Sequence, residues 1–136
     1  MVRQDFHVHS NFSDGVSTPE EIVEQAIANG MERLGFSDHS YAPYDEECCI
    51  PKADIVRYRD TIRALQKKYA DKIEIFCGIE QDIYSAESTD SYDYVIGSVH
   101  YIKLGGEYYG VDYKVETLYE AADKYFDGDI YGVVET

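Results

Sequence analysis

The sequence lacks the features that mark membrane, secreted and disulfide-rich proteins. It has no run of about 18 apolar residues, so no segment is predicted to span a membrane. The first residues, MVRQDF, lack the long apolar stretch of a secretory signal. The 3 cysteines are an odd number, and Cys48 and Cys49 are adjacent, which argues against a disulfide framework. These absences predict a cytoplasmic protein with reduced thiols and no membrane partner.

Basic residues are also scarce. The 136-residue chain has 12 Lys and Arg against 27 Asp and Glu, which gives a formal net charge of −15 at pH 7. Such a charge repels the phosphate backbone of nucleic acids. The densest basic stretch, RYRDTIRALQKK, alternates charged with apolar residues, as a solvated helix does. We therefore expect no nucleic-acid partner.

Two common catalytic motifs are missing. No G-x-S-x-G sequence marks a serine nucleophile, and no glycine-rich P-loop marks a phosphate-binding turn. The cysteines do not have C-x-x-C spacing, and Cys77 lies in an apolar segment, so we expect all three in the core or in loops. The residues left for chemistry include 4 histidines, namely His7, His9, His39 and His100.

Strand and helix patterns alternate along the chain. Strands are predicted over 3–9, 32–39, 72–82 and 93–102, and helices over 17–30, 52–70 and 114–126. Thr18, Pro19 and Glu21 suit the start of the first helix as N-cap, first helical residue and capping-box partner. Gly30 is a natural C-terminal stop for the same helix.

The C-terminal segments are less regular. LGGEYYG is expected to form a turn plus a flexible loop, and Asp127 or Asp129 can cap a further helix that begins near Ile130. About four or five strands would make half a barrel, with exposed edges that invite pairing. We therefore expect the chain either to be a fragment or to complete its sheet with another chain, as a homo-oligomer.

Polar residues collect at one end of this pattern. Strand–helix–strand alternation implies parallel strands with right-handed crossovers, and chemistry in such sheets gathers at the carboxyl ends of the strands. The residues at the ends of the four predicted strands are, in order, His7 with His9, then His39, Glu80 and His100.

These residue types suit metal ions. His7 and His9 are two apart, so on a strand they face the same way and can converge on one ion. Neutral imidazole is a standard ligand for Zn, Fe or Mn. Because a carboxylate offers two oxygens, Glu80 can bridge two ions. The pairs available for a second and a third ion are Asp14 with His39, and Glu80 with His100.

Each of these residues also has an ordinary structural interpretation. SDG is a common turn sequence, so Asp14 can be a turn residue. His39 can be a loop histidine, Glu80 an exposed turn acid and His100 a packed strand histidine. Asp38 can orient a ligand or cap its own loop. These interpretations do not explain why every histidine falls at the same end of a parallel sheet.

Four motifs in this order, HVHSNFSDG, SDHS, GIEQD and GSVHYI, resemble the polymerase and histidinol phosphatase (PHP) superfamily. GSVHYI followed shortly by YYGVDY is similar to its histidinol-phosphate phosphatase branch. The resemblance implies an α/β fold that is the N-terminal portion of a distorted (β/α)7 TIM-like barrel, in one PHP-type domain over 1–136. The family's further histidine and its late Asp/His pair have no counterpart here.

The resemblance also implies a cluster of up to three divalent ions, Zn, Fe or Mn. The implied ligands are His7, His9 and Glu80 for the first ion, Asp14 and His39 for the second, and Glu80 and His100 for the third. Glu80, His100 and Asp14 would be catalytic as well as metal-binding. The implied reaction is metal-assisted hydrolysis of a phosphomonoester, with L-histidinol phosphate of histidine biosynthesis as the substrate.

Two other functions fit parts of the sequence. A PHP-type nuclease would share the motifs, but the net charge of −15 argues against it. A catalytically inactive, truncated remnant would fit the early stop after DGDIYGVVET. Because the family's later phosphate-binding basic residues are not matched, we expect this chain alone to have weak or no activity.

Overall fold

The structure is a computed structural model that describes residues 1–112 and 114–135. Tyr113, the last residue of YYGVDY, and Thr136 lie outside the described residues. The chain divides into unit 1, residues 1–97, and unit 2, which begins at residue 98. Unit 1 contains β1 (Gln4–Val8), α1 (Pro19–Ala28), β2 (Arg33–Phe36), a 3₁₀ turn (Lys52–Asp54), α2 (Ile55–Lys68), β3 (Glu74–Asp82) and β4 (Tyr94–Ser98), whose last residue begins unit 2. Unit 2 contains β5 (Tyr101–Leu104), β6 (Glu107–Gly110), α3 (Val115–Tyr125) and α4 (Ile130–Val134).

The first four strands form one parallel sheet, as the sequence predicted. Their order is β1–β2–β3–β4. β1 pairs with β2 and β2 with β3 in parallel, with Leu34 of β2 opposite Asp5 on one side and Ile75 on the other. The connections from β1 to β2 and from β2 to β3 each contain a helix, so these three strands form two consecutive βαβ units, whereas β3 is joined to β4 without a helix. The prediction of parallel strands is confirmed.

Local sequence signals determine both ends of α1. The Glu21 backbone N–H donates to Thr18 Oγ1 at 3.3 Å, and the Thr18 N–H donates to the Glu21 carboxylate at 2.8 Å. This reciprocal pair is the predicted capping box. At the other end, Gly30 has a φ of +70°, which glycine adopts without steric cost, so the helix ends where the sequence predicted.

α2 packs its apolar face against the sheet. Its buried residues Tyr58, Ile62 and Leu65 recur at helical spacing. They share the core of unit 1 with strand residues such as Phe36. The Tyr58 hydroxyl donates to the Gly78 carbonyl at 2.8 Å, which satisfies a polar group that would otherwise be costly to bury. The prediction of a long amphipathic helix is confirmed.

A tyrosine from β4 reaches across the sheet. The Tyr94 hydroxyl lies 2.7 Å from the Phe6 carbonyl oxygen in β1 and 3.0 Å from the Phe36 carbonyl oxygen in β2. Its ring fills the space next to Gly35 and Gly78, where an added Cβ would lie 2.4 Å and 2.3 Å from atoms of Tyr94. A side chain of β4 can reach β1 only if the sheet curls, as strands in a barrel wall do.

The predicted strand over 93–102 is wrong, because the structure has two strands there in different sheets. β4 ends at Ser98, and β5 begins at Tyr101. β5 then pairs with β6 in an antiparallel hairpin, with Leu104 opposite Glu107. The continuous apolar pattern concealed the break between the two strands.

The expectation of a flexible loop at LGGEYYG is also wrong. Gly105 and Gly106 form the turn of the hairpin, with φ values of +57° and +90°. A two-residue turn of this kind requires positive φ at both positions, which favours glycine. The Gly-Gly pair between two short β-forming runs was therefore a hairpin signal in the sequence.

Helices cover the hairpin of unit 2. The buried core of this unit consists of Leu104, Ala121, Ala122 and Val133. Asp129 caps α4, because its carboxylate accepts a hydrogen bond from the Tyr131 N–H at 3.0 Å. Of the two caps predicted for this helix, the structure therefore has Asp129. Within residues 1–112 and 114–135, no helix combines the length and the apolar character needed to cross a lipid bilayer.

Candidate metal centre

Backbone hydrogen bonds place His39 beside Glu80. Beyond the end of β2, the Glu80 N–H donates to the Asp38 carbonyl at 3.0 Å and the Ser40 N–H donates to the Glu80 carbonyl at 2.8 Å. His39 and Glu80 consequently form an isolated parallel bridge. The ends of two neighbouring strands are thus held in register where the predicted site residues lie.

Glu80 is the centre of the cluster. Its side chain is 4% exposed, and its Oε2 lies 3.0 Å from His7 Nε2, 2.9 Å from His9 Nε2 and 3.4 Å from His39 Nδ1. A buried carboxylate needs such partners to offset its lost hydration. The sequence suggested that Glu80 ends its strand. In the structure β3 continues to Asp82, so Glu80 lies within the strand.

Asp14 joins the cluster from the loop after β1. Its Oδ1 lies 2.8 Å from His9 Nδ1, and its Oδ2 lies 3.5 Å from His39 Nε2. Burial by itself would raise the pKa of Asp14, but the hydrogen bond with His9 and the charges of His39 and His9 hold this pKa below its ordinary value. Asp14 is therefore a turn residue whose carboxylate faces two histidines.

His9 has an acidic neighbour at each ring nitrogen. Burial lowers the pKa of His9, but the contacts with Glu80 and Asp14 outweigh burial and raise this pKa to about 9. Without a metal ion, the imidazole is therefore protonated at neutral pH. A metal ion that binds His9 must displace that proton.

The donor atoms fit divalent metal ions. In unit 1, two groups have ligand atoms within 4.8 Å of one another, namely His7, His9 and Glu80, and His9, Asp14 and His39. His9 Nε2 is buried and lies 2.9 Å from Glu80 Oε2. Once it has lost its proton, that nitrogen can bind an ion. Mixed imidazole and carboxylate donors suit Zn, Fe and Mn.

Asp38 anchors the loop that carries Asp14. Its carboxylate is fully buried and accepts hydrogen bonds from the Ser10 N–H at 2.8 Å and from the Ser13 hydroxyl at 2.7 Å. The sequence predicted that Asp38 orients a ligand or caps its own loop, and the structure shows its carboxylate in contact with the loop after β1 instead. Ser10 and Ser13 were not predicted from the sequence, and no local pattern marks them, because their partner lies 25 or more residues away.

His100 belongs to unit 2 and lies between β4 and β5. Its Nδ1 is 3.1 Å from Ser98 Oγ, and its Nε2 is 3.9 Å from Asp112 Oδ2. Its carbonyl accepts a hydrogen bond from the Val111 N–H at 2.8 Å. His100 thus follows β4 instead of ending it, and its assignment as a metal ligand rests on the sequence resemblance.

The cysteines have the core and loop positions that the sequence predicted. Cys49 and Cys77 are buried, Cys48 is partly buried, and all three are free. Cys49 Sγ accepts a hydrogen bond from the Ala42 N–H at 3.3 Å in the loop before α2. Burial raises the pKa of Cys77 to about 12, so this thiol stays neutral and is a poor metal ligand.

Known proteins share both the sequence pattern and the fold. The sequence profile of the PHP domain family matches residues 5–135. The chain is 32% identical over 136 residues to a histidinol-phosphatase of Lactococcus lactis subsp. lactis (strain IL1403), a match that covers 91% of this chain and 49% of the relative. The chain therefore spans about half the length of the relatives it matches.

Two crystal structures resemble the chain. One is assigned to a histidinol phosphatase of Listeria monocytogenes, with a TM-score of 0.68 and 21% identity over 85% of this chain and 51% of that chain. The other is histidinol phosphate phosphatase from Lactococcus lactis in complex with Zn, L-histidinol and phosphate, with a TM-score of 0.61 and 29% identity over 93% of this chain and 51% of that chain. The chain belongs to the PHP domain family, and its parallel sheet is the N-terminal portion of a TIM-like barrel.

Proposed function

We propose that this chain forms part of a metal-dependent phosphomonoester hydrolase whose substrate is L-histidinol phosphate. The observation that carries the proposal is the position of Glu80 Oε2, within 3.4 Å of three imidazole nitrogens. The names of the relatives support it, as does the Lactococcus lactis complex with Zn, L-histidinol and phosphate. The chain matches about half of those proteins, so both the activity and the substrate are proposals for the whole protein.

The proposed ligands divide between two ions in unit 1. A neutral imidazole has one lone pair, so His9 binds one ion at a time. Through Nε2 it would join His7 and Glu80, while its Nδ1–H donates to Asp14 Oδ1, 2.8 Å away. A carboxylate behind a metal-bound histidine fixes the orientation of the ring. Asp14 Oδ2 and His39 Nε2, 3.5 Å apart, would then hold a second ion.

His100 completes the proposed set. The family resemblance assigns it, together with Glu80, to a third ion, for a total of up to three Zn, Fe or Mn ions. Glu80, His100 and Asp14 are the residues that we propose to act in catalysis as well as in metal binding. The organisation of residues 1–136 as a single PHP-type domain is likewise proposed from the resemblance.

The proposed site reverses the local charge of an acidic chain. With neutral histidines, Asp14 and Glu80 holding two divalent ions would leave a cluster charge of about +2, which attracts a phosphate monoester. Bound divalent ions supply Lewis acidity, which lowers the pKa of water and neutralises charge on phosphoryl oxygens. The residues of this chain contribute position: β3 holds Glu80 in a buried place, and Asp14 holds the tautomer of His9.

Zinc binding by the purified chain tests the metal site. The chain is stripped with a chelator and titrated with Zn²⁺ by calorimetry, and its metal content is then measured by mass spectrometry. Glu80→Gln keeps the shape but loses the charge of a proposed ligand, so we expect zinc affinity to fall by about 100-fold or more, since loss of a residue behind the ligands already costs about 10- to 100-fold. Glu74→Gln is the matched control, because Glu74 lies in the same strand and pairs with Arg33. Equal affinities of the two variants, or no zinc binding by the wild type, would contradict the proposal.

The substrate is tested with the zinc-loaded chain. L-histidinol phosphate, p-nitrophenyl phosphate and single-stranded DNA are compared, and we expect preference for L-histidinol phosphate, because the net charge of −15 disfavours nucleic acid. Turnover by this chain alone is expected to be weak, so binding of inorganic phosphate is measured as well. Preference for DNA would indicate a nuclease, and phosphate binding that survives chelation would contradict a metal-dependent site.

A further inference from the structure

We infer that Asp38 is a positioning residue that holds the loop over residues 10–15, and through this loop the carboxylate of Asp14, in place for the second metal ion. The inference rests on the proposed function, because the position of Asp14 matters for chemistry only if the cluster binds metal ions. It concerns a residue that touches neither the proposed ions nor the proposed substrate.

Asp38 accepts several hydrogen bonds from the loop over residues 10–15. Its carboxylate is fully buried. Oδ1 accepts from the Ser10 N–H at 2.8 Å and from the Ser13 hydroxyl at 2.7 Å, and the Ser10 hydroxyl lies 3.0 Å from Oδ1 and 3.1 Å from Oδ2. The Asp38 side chain, just beyond the end of β2, therefore binds two residues of the loop that follows β1. Hydrogen bonds of this kind, shielded from water, hold a loop more firmly than exposed ones.

The loop over residues 10–15 is tightly folded. The Ser13 and Gly15 N–H groups both donate to the Ser10 carbonyl, at 3.2 Å and 3.0 Å. A Cβ at Gly15 would lie 2.5 Å from the His9 carbonyl oxygen, so the chain closes on itself without room for a side chain. With its backbone folded this closely, the loop transmits a shift at Ser13 to its neighbour Asp14.

Burial does little to hold the side chain of Asp14 in place. Its side chain is 41% exposed, whereas that of Glu80 is 4% exposed and lies in a strand. An exposed carboxylate in a loop loses conformational freedom when it is fixed, and this cost opposes metal binding unless the loop is already ordered. Asp38 supplies that order through Ser13, whose hydroxyl also lies 3.3 Å from Asp14 Oδ1. Asp14 therefore needs the anchor, and Glu80 does not.

Asp38 is adjacent to His39 in the chain. Successive residues of an extended chain point to opposite sides. Asp38 consequently contacts the loop, while His39 faces Asp14 and Glu80. The dipeptide Asp38–His39 thus provides one proposed ligand of the second ion, His39, and the residue that anchors the loop of the other ligand, Asp14.

Stepwise zinc binding tests this inference. Asp38→Ala and Ser13→Ala are compared with the wild type by equilibrium dialysis against Zn²⁺, and Co²⁺ absorption spectra report the geometry at each step. We expect both variants to weaken the second zinc step about 10- to 100-fold, the range known for residues behind metal ligands, and to change the first step less than about threefold. Asp38→Asn should rescue binding, because an amide can accept from Ser10 and Ser13 and donate to the Ser10 hydroxyl.

Asp93→Ala is the matched control. The Asp93 carboxylate also accepts a backbone hydrogen bond, from Cys77 at 2.8 Å, and side-chain hydrogen bonds from Arg63 and Gln66 at 2.7 Å and 3.0 Å. None of these partners belongs to the cluster, so the control should lower stability and leave both zinc steps unchanged. It separates a loss of positioning from a general loss of stability.

The outcomes distinguish the two proposals. A wild-type chain that binds no zinc overturns the proposed function and this inference together. Zinc binding by the wild type with an unchanged second step in Ser13→Ala and Asp38→Ala overturns only the inference. An equal loss of affinity in both zinc steps, or a wild type that binds zinc in a single step, likewise overturns only the inference. If Asp38→Ala does not fold, as judged by circular dichroism, Ser13→Ala decides the question.

Discussion

Gly78→Ala should destabilise unit 1 strongly, because the Tyr94 ring occupies the place of the new methyl group. The added Cβ would lie 2.3 Å from Tyr94 Cζ, whereas ordinary contacts begin at 3.4 Å. The ring must therefore move by about 1 Å, which lengthens the 2.7 Å contact of its hydroxyl with the Phe6 carbonyl beyond hydrogen-bond range. Overpacking costs about 1–3 kcal/mol and the lost hydrogen bond about 1 kcal/mol, so we expect a loss of about 2–4 kcal/mol.

Urea unfolding followed by circular dichroism measures this loss. Gly97→Ala is the control, because Gly97 lies in β4 and its added Cβ would meet nothing within 4 Å. We expect the control to stay within about 1 kcal/mol of the wild type. In Gly78→Ala combined with Tyr94→Leu, the shorter side chain relieves the clash, so the double variant should be more stable than the sum of the single losses by about 1 kcal/mol or more. Equal stability of Gly78→Ala and Gly97→Ala, or additive losses in the double variant, would refute the argument.

Three further outcomes are expected. The pKa of His9 is about 9 in the folded chain against an ordinary value of 6.5. Its contribution to stability is therefore complete below pH 6.5 and is lost as the pH rises to about 9. Urea unfolding of the chelator-treated chain should show this decline, and His9→Gln should make the free energy of unfolding depend less on pH. Thr18→Ala removes the N-cap of α1 and should lower the free energy of unfolding by about 1 kcal/mol, whereas Ser88→Ala, outside any helix, should not. Iodoacetamide should modify Cys48 before Cys77, as read by mass spectrometry, because burial raises the pKa of Cys77 to about 12; faster labelling of Cys77 would contradict its buried position.

The parts of the fold that depend on neighbouring residues were predictable. The capping box of Thr18 and Glu21 needs only the spacing between them, and the glycine stop of α1 needs only one residue. The amphipathic spacing of Tyr58, Ile62 and Leu65 likewise identifies the buried face of α2 without reference to its partner. Alternation of such helices with strands was sufficient for the parallel sheet, because the crossover rules leave few other arrangements. The division of 93–102 into two strands was missed, since an apolar run does not show which sheet each of its halves joins.

Part of the candidate site followed from the same logic. His7, His9, His39 and Glu80 could be expected to meet, because parallel strands present their carboxyl ends at one edge of the sheet. Their sequence positions do not state which atoms face one another. That Asp14 Oδ1 lies 2.8 Å from His9 Nδ1 depends on how the intervening loop folds.

The sequence carries the residue types, the helix caps and the order of strands and helices, since these arise from interactions within a few positions along the chain. Contacts between distant residues arise from the register of the strands and the curl of the sheet. Asp38 meets Ser13 across 25 positions, and Tyr94 meets Phe6 across 88. Neither contact has a local signature, because only the pairing and packing of the strands brings these distant residues together.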